Sequence, residues 1–465
     1  MLFSSISFLY CFLPAVLILY YIAPGILKNT VLLAASLLFY AWGEPVYVVL
    51  MVVSIAISYV FGLLLERFNG KKAAKPLLFA AVAINLGFLA YFKYADFFIE
   101  NFNAATGLSV KLLNIALPIG ISFYTFQLVS YIIDVYRGDV PAQKNPINLA
   151  AYISMFPQLI AGPIVRYSDI EKQLKNRKID FEKIAQGITR FAIGLAKKVL
   201  LANQLGEFCD IFRSSQEKSV LFYWVYAFAY AMHIYFDFSG YSDMAIGLGK
   251  MLGFDFCENF NYPFISKSVS EFWRRWHMSL GTWFRDYVYI PLGGNRVSKP
   301  RWMFNVLVVW MLTGFWHGAN WNFIIWGLYF AVFLVLEKFA QPILKKLGRF
   351  NHILVTFIIL ISFIIFNAVD LSQAVTDIGG LFGAGGIPAV SEETLYYVKS
   401  YAVLLVLGVI GSTPAVKTLV LRINKSKTGE RIISILRPFA VMALLLLVTA
   451  YLADGSFNPF LYFRF

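Results

Sequence analysis

Apolar residues recur along this chain in runs long enough to cross a lipid bilayer. In lipid every backbone polar group must be bonded internally, which a helix achieves within one segment. The pattern therefore predicts an all-α polytopic membrane protein with about 11–12 transmembrane helices, each built from about 20 mainly apolar residues. The predicted crossings lie at about 6–24, 30–43, 46–66, 76–98, 112–134, 188–211, 219–236, 302–318, 321–338, 351–369, 397–416 and 437–453.

Residues 148–165 are apolar but do not fit a simple crossing. They contain Pro157, Gly162 and Pro163, and positive charge flanks them on both sides. Irregular backbone is tolerated at membrane depth only where it is buried in protein or lines a cavity. We therefore predict a re-entrant element that enters and leaves from the cytoplasmic side.

Residues 255–296, which we name the shelf segment, are too charged to cross the membrane. Their core alternates Trp and Phe with Arg and His, a pattern that favours short helices lying in the membrane interface. The aromatic rings would lie at headgroup level, and Arg274, Arg275 and Arg285 would reach lipid phosphates or a substrate.

Composition supports the membrane assignment, since 59% of the residues are hydrophobic and only 14% are charged. The net charge of +14 does not indicate nucleic-acid binding, because membrane proteins concentrate Lys and Arg in cytoplasmic loops. The basic clusters fall on one side if the N-terminus starts outside, whereas 370–396 carries acidic residues and no Lys or Arg. An even number of crossings then predicts that both termini are extracytoplasmic.

His317 lies in an apolar stretch that contains no other ionisable residue. An ionisable group at membrane depth suggests a functional site, and imidazole exchanges protons near neutral pH. A histidine bonded to a backbone carbonyl would be the inert alternative. Trp316, Gly318 and Asn320 place indole, small and amide groups beside His317, which favours the lining of a cavity.

His277 lies in the shelf segment and is a second candidate acid or base that could converge on His317. An interfacial histidine paired with a lipid phosphate is the alternative. The polar residues of 235–250 are interpreted as structural: Ser239 and Gly240 would break a helix, and nearby Asp side chains would cap the next helical segment. Lys197 and Lys198 are expected to snorkel. The three cysteines are too scattered to indicate a disulfide framework or a metal site.

Five long motifs, in order along the chain, resemble the membrane-bound O-acyltransferase family, in particular its bacterial polysaccharide-modifying branch. They are ALPIGISFYTFQLVSYIIDVYRG (Ala116–Gly138), PQLIAGPIVRYSDI (Pro157–Ile170), YFDFSGYSDMAIGLGKMLGF (Tyr235–Phe254), FWRRWHMSLGTWFRDYVYIPLGGNR (Phe272–Arg296) and LTGFWHGANWNFIIWG (Leu312–Gly327).

The resemblance implies a single membrane domain over 1–465, with a ring of helices around a central tunnel. Within it we distinguish N-terminal helices (1–147), a catalytic core (148–340), C-terminal helices (341–453) and an extracytoplasmic aromatic tail (454–465). The resemblance also implies that His317 is the catalytic base and His277 a second functional histidine. Trp316, Asn320 or His277 would orient the ring or stabilise an oxyanion.

The resemblance further implies the donor, the acceptor and the location of the reaction. The acyl donor would be a cytoplasmic thioester, either acetyl-CoA or an acyl carrier protein, with no bound cofactor and no metal. The acceptor would be an extracytoplasmic polysaccharide, modified with an SGNH-like acetyltransferase partner at a bacterial plasma membrane. The C-terminal sequence NPFLYFRF resembles a family motif in which Tyr462 could take part in acyl relay, although an aromatic interfacial anchor explains it equally.

Other functions remain compatible with the residues alone. D-alanyl or other acyl transfer to teichoic acid from a carrier protein is the nearest alternative. A small-solute transporter would also use broken helices and a midplane histidine, and a scaffold in a polysaccharide-export complex is a third possibility.

Overall fold

The computed structural model describes residues 2–455, and within them the regular structure is helical. We number the α-helices α1–α21 in chain order. They are Leu13–Ile22, Lys28–Gly43, Tyr47–Arg67, Ala74–Thr106, Ile121–Arg137, Pro146–Ser154, Phe156–Leu159, Tyr167–Lys175, Phe181–Ala196, Asn203–Ser214, Val220–Met251, Val269–Arg275, Met278–Phe284, Lys299–His317, Trp321–Leu347, Phe350–Asn367, Leu371–Leu381, Glu392–Ser400, Ala402–Gly411, Ala415–Ile423 and Lys427–Ala453. The prediction of an all-α chain is confirmed.

Several helices are long and apolar enough to cross a membrane on length and composition alone. Within residues 2–455 there are six, and a seventh if α18 and α19, bent by 56°, form one broken span. The six are Gly25–Gly43, Tyr47–Arg67, Ala74–Thr106, Trp321–Leu347, Phe350–Asn367 and Lys427–Ala453. The other predicted crossings fall on helices that are shorter or more polar.

The chain divides into two compact units. The first unit runs up to Phe191 and includes Ser242–Glu258. Its interior contains clustered phenylalanine rings; Phe8 and Phe156, for example, have ring centroids 6.3 Å apart. Such edge-to-face packing adds to the burial of apolar area.

The segment predicted to be re-entrant belongs to this first unit. α6 ends at Ser154, α7 starts at Phe156, and non-helical backbone follows as far as Arg166. From Ala151 to Val165 every residue is buried. This broken, buried backbone agrees with the prolines and glycines of the segment, because its polar groups need protein partners.

The second unit contains Ala192–Tyr241 and the residues after Glu258. α11 continues through Ser239 and Gly240 without interruption, so the predicted helix break is wrong. A Cβ on Gly240 would lie 2.7 Å from the Gly194 carbonyl oxygen. Gly240 therefore permits close helix packing, as small residues do in membrane proteins.

A buried ion pair replaces the cap expected at Asp237. Lys198 Nζ lies 2.5 Å from Asp237 Oδ1, and both side chains are almost fully buried. The expectation that Lys198 snorkels is therefore wrong. Burying two charges costs several kcal/mol of desolvation each, and mutual pairing offsets that cost. In the first unit Asp243 likewise pairs with Arg190, whose Nε donates to Oδ1 at 2.7 Å.

Candidate functional site

His317 is the last residue of α14, at the turn of a tight hairpin with α15. Two glycines allow this hairpin to close. A Cβ on Gly314 would collide with the Phe323 carbonyl oxygen, and one on Gly327 would collide with the Trp310 carbonyl oxygen. These two glycines therefore let the backbones of α14 and α15 approach closely beside His317.

Aromatic rings surround the His317 imidazole. The ring centroids of Trp316 and Trp326 each lie 5.1 Å from it, and that of Phe366 lies at 5.2 Å. All three rings stand nearly perpendicular to the imidazole. The side chain of His317 is buried, so an electrostatic interaction at this ring is much stronger than it would be in water.

His277 occupies a constrained position between the two short helices of the shelf segment, α12 and α13. Its φ of 43° lies in the left-handed region, which is unfavourable for a residue with a side chain. Asn259 stabilises this turn. Its backbone oxygen accepts from Met278 N at 3.0 Å, and its Oδ1 accepts from Ser279 N at 3.2 Å and Ser279 Oγ at 2.9 Å.

The same Asn259 oxygen defines the tautomer of His277. Asn259 Oδ1 lies 3.2 Å from His277 Nδ1 and is an acceptor, so Nδ1 carries the proton of this hydrogen bond. Burial, and then the charge on a protonated His317, hold the pKa of His277 well below its usual value. Neutral His277 therefore has a lone pair on Nε2, which has no hydrogen-bond partner among residues 2–455.

Trp316 lies between the two histidines. Its ring centroid is 5.1 Å from that of His317 and 6.1 Å from that of His277. The ring of Phe238 in α11 stands perpendicular to the His277 imidazole, with 4.6 Å between the ring centroids. The structure thus brings together His317, His277 and Trp316.

The asparagines after His317 are directed elsewhere. Asn320 Nδ2 donates to the Val369 carbonyl at 2.9 Å, and Asn322 Nδ2 donates to the Ala368 carbonyl at 2.8 Å. These bonds join the α14–α15 turn to the end of α16. They position Phe366, and hence one wall of the His317 site, and the bond to Val369 uses one of the two N–H groups of the Asn320 amide.

The three shelf arginines differ in their partners. Arg275 pairs with Glu271 at 2.9 Å, and Arg285 pairs with Asp286 at 2.7 Å. Arg274 is exposed and donates from Nε to the Ser270 carbonyl at 3.2 Å. Among the three, Arg274 is therefore the best placed to meet an anionic group from solution.

Several residues of this site were not found from the sequence, among them Asn259, Trp326, Phe366 and Phe238. Asn259 lies in a short polar stretch with no distinguishing pattern, and only the fold places its amide under His277. Trp326 lies on the helix after His317, and only the close packing of α14 and α15 brings its ring to the imidazole. Tyr462 and the aromatic tail after Gly455 lie outside the described residues.

Two imidazoles close to one indole, in an enclosed aromatic setting, suit proton transfer to or from a hydroxyl. Imidazole is the commonest general base in proteins. Residues 2–455 bring together no group of three His, Cys, Asp or Glu side chains that could hold a metal ion.

Comparison with known proteins shows which family the chain resembles. The model of the MBOAT, membrane-bound O-acyltransferase family, matches residues 141–374. The chain is 38% identical to the probable alginate O-acetylase AlgI of Azotobacter vinelandii, and the match covers all of both chains. It is 34% identical to the peptidoglycan O-acetyltransferase of Helicobacter pylori, over 83% of this chain and 81% of that protein.

A more distant likeness covers half of the chain. The teichoic acid D-alanyltransferase of Bacillus subtilis is 33% identical over 49% of this chain and 60% of that protein.

Proposed function

The chain belongs to the membrane-bound O-acyltransferase family, and we propose that it O-acetylates an extracytoplasmic polysaccharide of the alginate type. The full-length match to a probable alginate O-acetylase supports both the acetyl group and the polymer. The peptidoglycan O-acetyltransferase relative supports transfer to a glycan more generally. The observation that carries the mechanism is the burial of His317 at a helix end, enclosed by aromatic rings.

In the proposed reaction His317 acts as the general base. It removes the proton from an acceptor hydroxyl while the hydroxyl oxygen forms a bond to the thioester carbonyl carbon. The carbon–sulfur bond then breaks, and the leaving thiolate takes the proton from the imidazolium. A positioned base of this kind contributes about 10²–10⁴-fold to the rate.

His277 supports the reaction from the shelf segment. Its neutral ring presents the Nε2 lone pair, while Asn259 holds Nδ1. We propose that His277 orients the acyl donor or the group that carries the proton in the second transfer. Trp316 would separate the two imidazoles. Arg274 would attract the phosphates of the donor.

The proposed donor is acetyl-CoA or an acyl carrier protein thioester, delivered from the cytoplasm. The acetyl group leaves on the outer side of the membrane through an SGNH-like partner, and both termini of the chain are extracytoplasmic. D-alanyl transfer is the second candidate, favoured only by the half-length likeness to the teichoic acid enzyme.

The test compares two histidine variants in cells. His317→Ala should abolish acetylation of the surface polysaccharide at normal protein level. His352→Ala is the matched control, because His352 is exposed and, in the described structure, its imidazole bonds only from Nδ1 to the Ser266 carbonyl at 3.1 Å. Unchanged acetyl content in the His317→Ala strain would refute the role of His317.

A further inference from the structure

A polar cavity of about 410 Å³ opens in the second unit, outside the histidine site. Arg213 at the end of α10, Lys218 in the following loop and Tyr223 of α11 contribute to its lining, together with Asp370 and α17. The α17 residues of the lining are Ser372, Gln373, Thr376 and Asp377. The volume lies within the range of sites that hold small ligands.

This cavity lies at the end of a membrane-spanning helix. α16 is long and apolar enough to cross a membrane, and it ends at Asn367, shortly before Asp370. Next to the lining, the apolar side chain of Val375 is 71% exposed. Trp224 of α11 donates from Nε1 to the Leu381 carbonyl at 3.0 Å, and tryptophan is enriched at the interface between membrane and water. The cavity therefore opens at the level of lipid headgroups.

The charges at the base of the cavity cancel each other. Arg213 Nη1 lies 2.7 Å from Asp377 Oδ2, and Arg213 Nη2 donates to Tyr226 Oη at 2.5 Å. Asp377 and Tyr226 are buried, so this ion pair is a fixed part of the fold. The charged groups of the lining that remain for a ligand are the ammonium of Lys218 and the carboxylate of Asp370.

Lys218 and Asp370 each keep hydrogen-bonding capacity. The Lys218 ammonium has three protons and donates two of them, to the Phe212 carbonyl at 2.6 Å and the Ser215 carbonyl at 3.0 Å. Asp370 Oδ1 accepts from Gln373 N at 2.8 Å, which leaves Oδ2 as an acceptor. The lining thus offers one positively charged donor and one negatively charged acceptor.

We propose that this cavity binds the zwitterionic headgroup of an ethanolamine phospholipid. The phosphate of the headgroup lies against Lys218, and its primary ammonium donates to Asp370 Oδ2. A ligand with charge of one sign would be attracted by one of these groups and repelled by the other, whereas a zwitterion satisfies both. The acyl chains run past Val375 into the membrane. This assignment is independent of the proposed acetyl transfer.

The test measures lipid binding to the purified full-length protein in detergent micelles by native mass spectrometry. Phosphatidylethanolamine should bind about tenfold more tightly than phosphatidylglycerol, which lacks an ammonium, and than phosphatidylcholine, whose quaternary ammonium has no N–H to donate. Soluble glycerophosphoethanolamine should bind more weakly than the lipid, because it has no acyl chains to bury. Equal binding of the three lipids would overturn the choice of headgroup, and equal binding of the soluble headgroup would overturn the assignment to a lipid.

Asp370→Asn removes the negative charge and keeps the start of α17, because Asn caps a helix as well as Asp does. In this variant phosphatidylglycerol should bind as tightly as phosphatidylethanolamine, since the ammonium has lost its anionic partner and the lining has become positive. Glu392→Gln is the matched control, because Glu392 is an exposed acid in the first turn of α18 and lies outside the lining. It should keep the preference of the wild type. An unchanged preference in Asp370→Asn, or an equal loss in Glu392→Gln, would overturn the proposal.

Discussion

His317 and His277 share one tryptophan but are held in different ways. His317 ends a long helix and is enclosed by the faces and edges of Trp316, Trp326 and Phe366. His277 lies between two short helices, with a left-handed backbone and a hydrogen bond from Nδ1 to the side-chain oxygen of Asn259. Aromatic enclosure excludes water around one ring, whereas hydrogen bonds and backbone strain fix the orientation of the other.

The difference suggests a division of roles. A ring that must gain and lose a proton benefits from an enclosed setting in which developing charge is strongly stabilised. A ring that orients a group benefits from a single tautomer and a fixed backbone. Left-handed backbone at a residue with a side chain costs about 1–2 kcal/mol, and such conformations cluster at functional sites.

The most direct test of these two roles removes the His277 imidazole and keeps the backbone conformation at this position. His277→Asn does so, because Asn tolerates the left-handed region. We expect acyl transfer to fall about 100-fold, the lower part of the range for acid–base groups, and the melting temperature to change little. The turnover number and the KM for the thioester separate the possible roles.

A fall in the turnover number alone would place His277 in the proton transfers, and a rise in KM alone would place it in donor binding. Full activity in His277→Asn would contradict any functional role for this residue. His317→Asn, measured in the same assay, should lose more acyl-transfer activity, and its loss is the reference for that of His277→Asn.

Asn259 provides a weaker perturbation of the same ring. Asn259→Ala leaves His277 Nδ1 and Ser279 N without their acceptor, and unsatisfied buried groups cost about 1–3 kcal/mol. Activity should fall about tenfold, less than in His277→Asn, because the imidazole is still present but less well oriented.

Asn261→Ala is the matched control, since Asn261 is an exposed residue of the same loop. Chemical denaturation and acyl transfer would be measured for both variants. Equal stability and equal acyl transfer in Asn259→Ala and Asn261→Ala would show that the hydrogen bond from Asn259 does not position His277.

The sequence predicted the helical class and the irregular backbone of 148–165, and it identified His277 and His317 as two histidines that could converge. These features depend on local patterns: apolar runs, proline and glycine positions, and motifs that the family shares. Five of the predicted crossings lie on helices that are shorter or carry more polar side chains than the long apolar helices, so length and composition alone do not identify them as spans.

The polar contacts between helices could not be predicted. Asp237 was expected to cap a helix, yet it opposes Lys198 inside a continuous one. Likewise Asn320 bonds to the Val369 carbonyl at the end of α16 and not to the neighbouring histidine. The sequence shows which side chains are polar. The partner that each of them meets depends on how helices from distant segments pack together.

The smallest expected effect is a pH dependence that distinguishes the two histidine environments. The pKa of His277 is lower in the folded protein than in the unfolded chain, where it is about 6.5. The unfolded state therefore binds more protons below that pH, and stability should fall as the pH drops below about 6.5 on this account alone. His277→Asn removes the group, so the stability of wild type relative to this variant should decline as the pH falls from 7.5 to 5.5. Denaturation at a series of pH values measures this difference, and parallel curves for the two proteins would show that His277 is as easily protonated in the fold as in the unfolded chain.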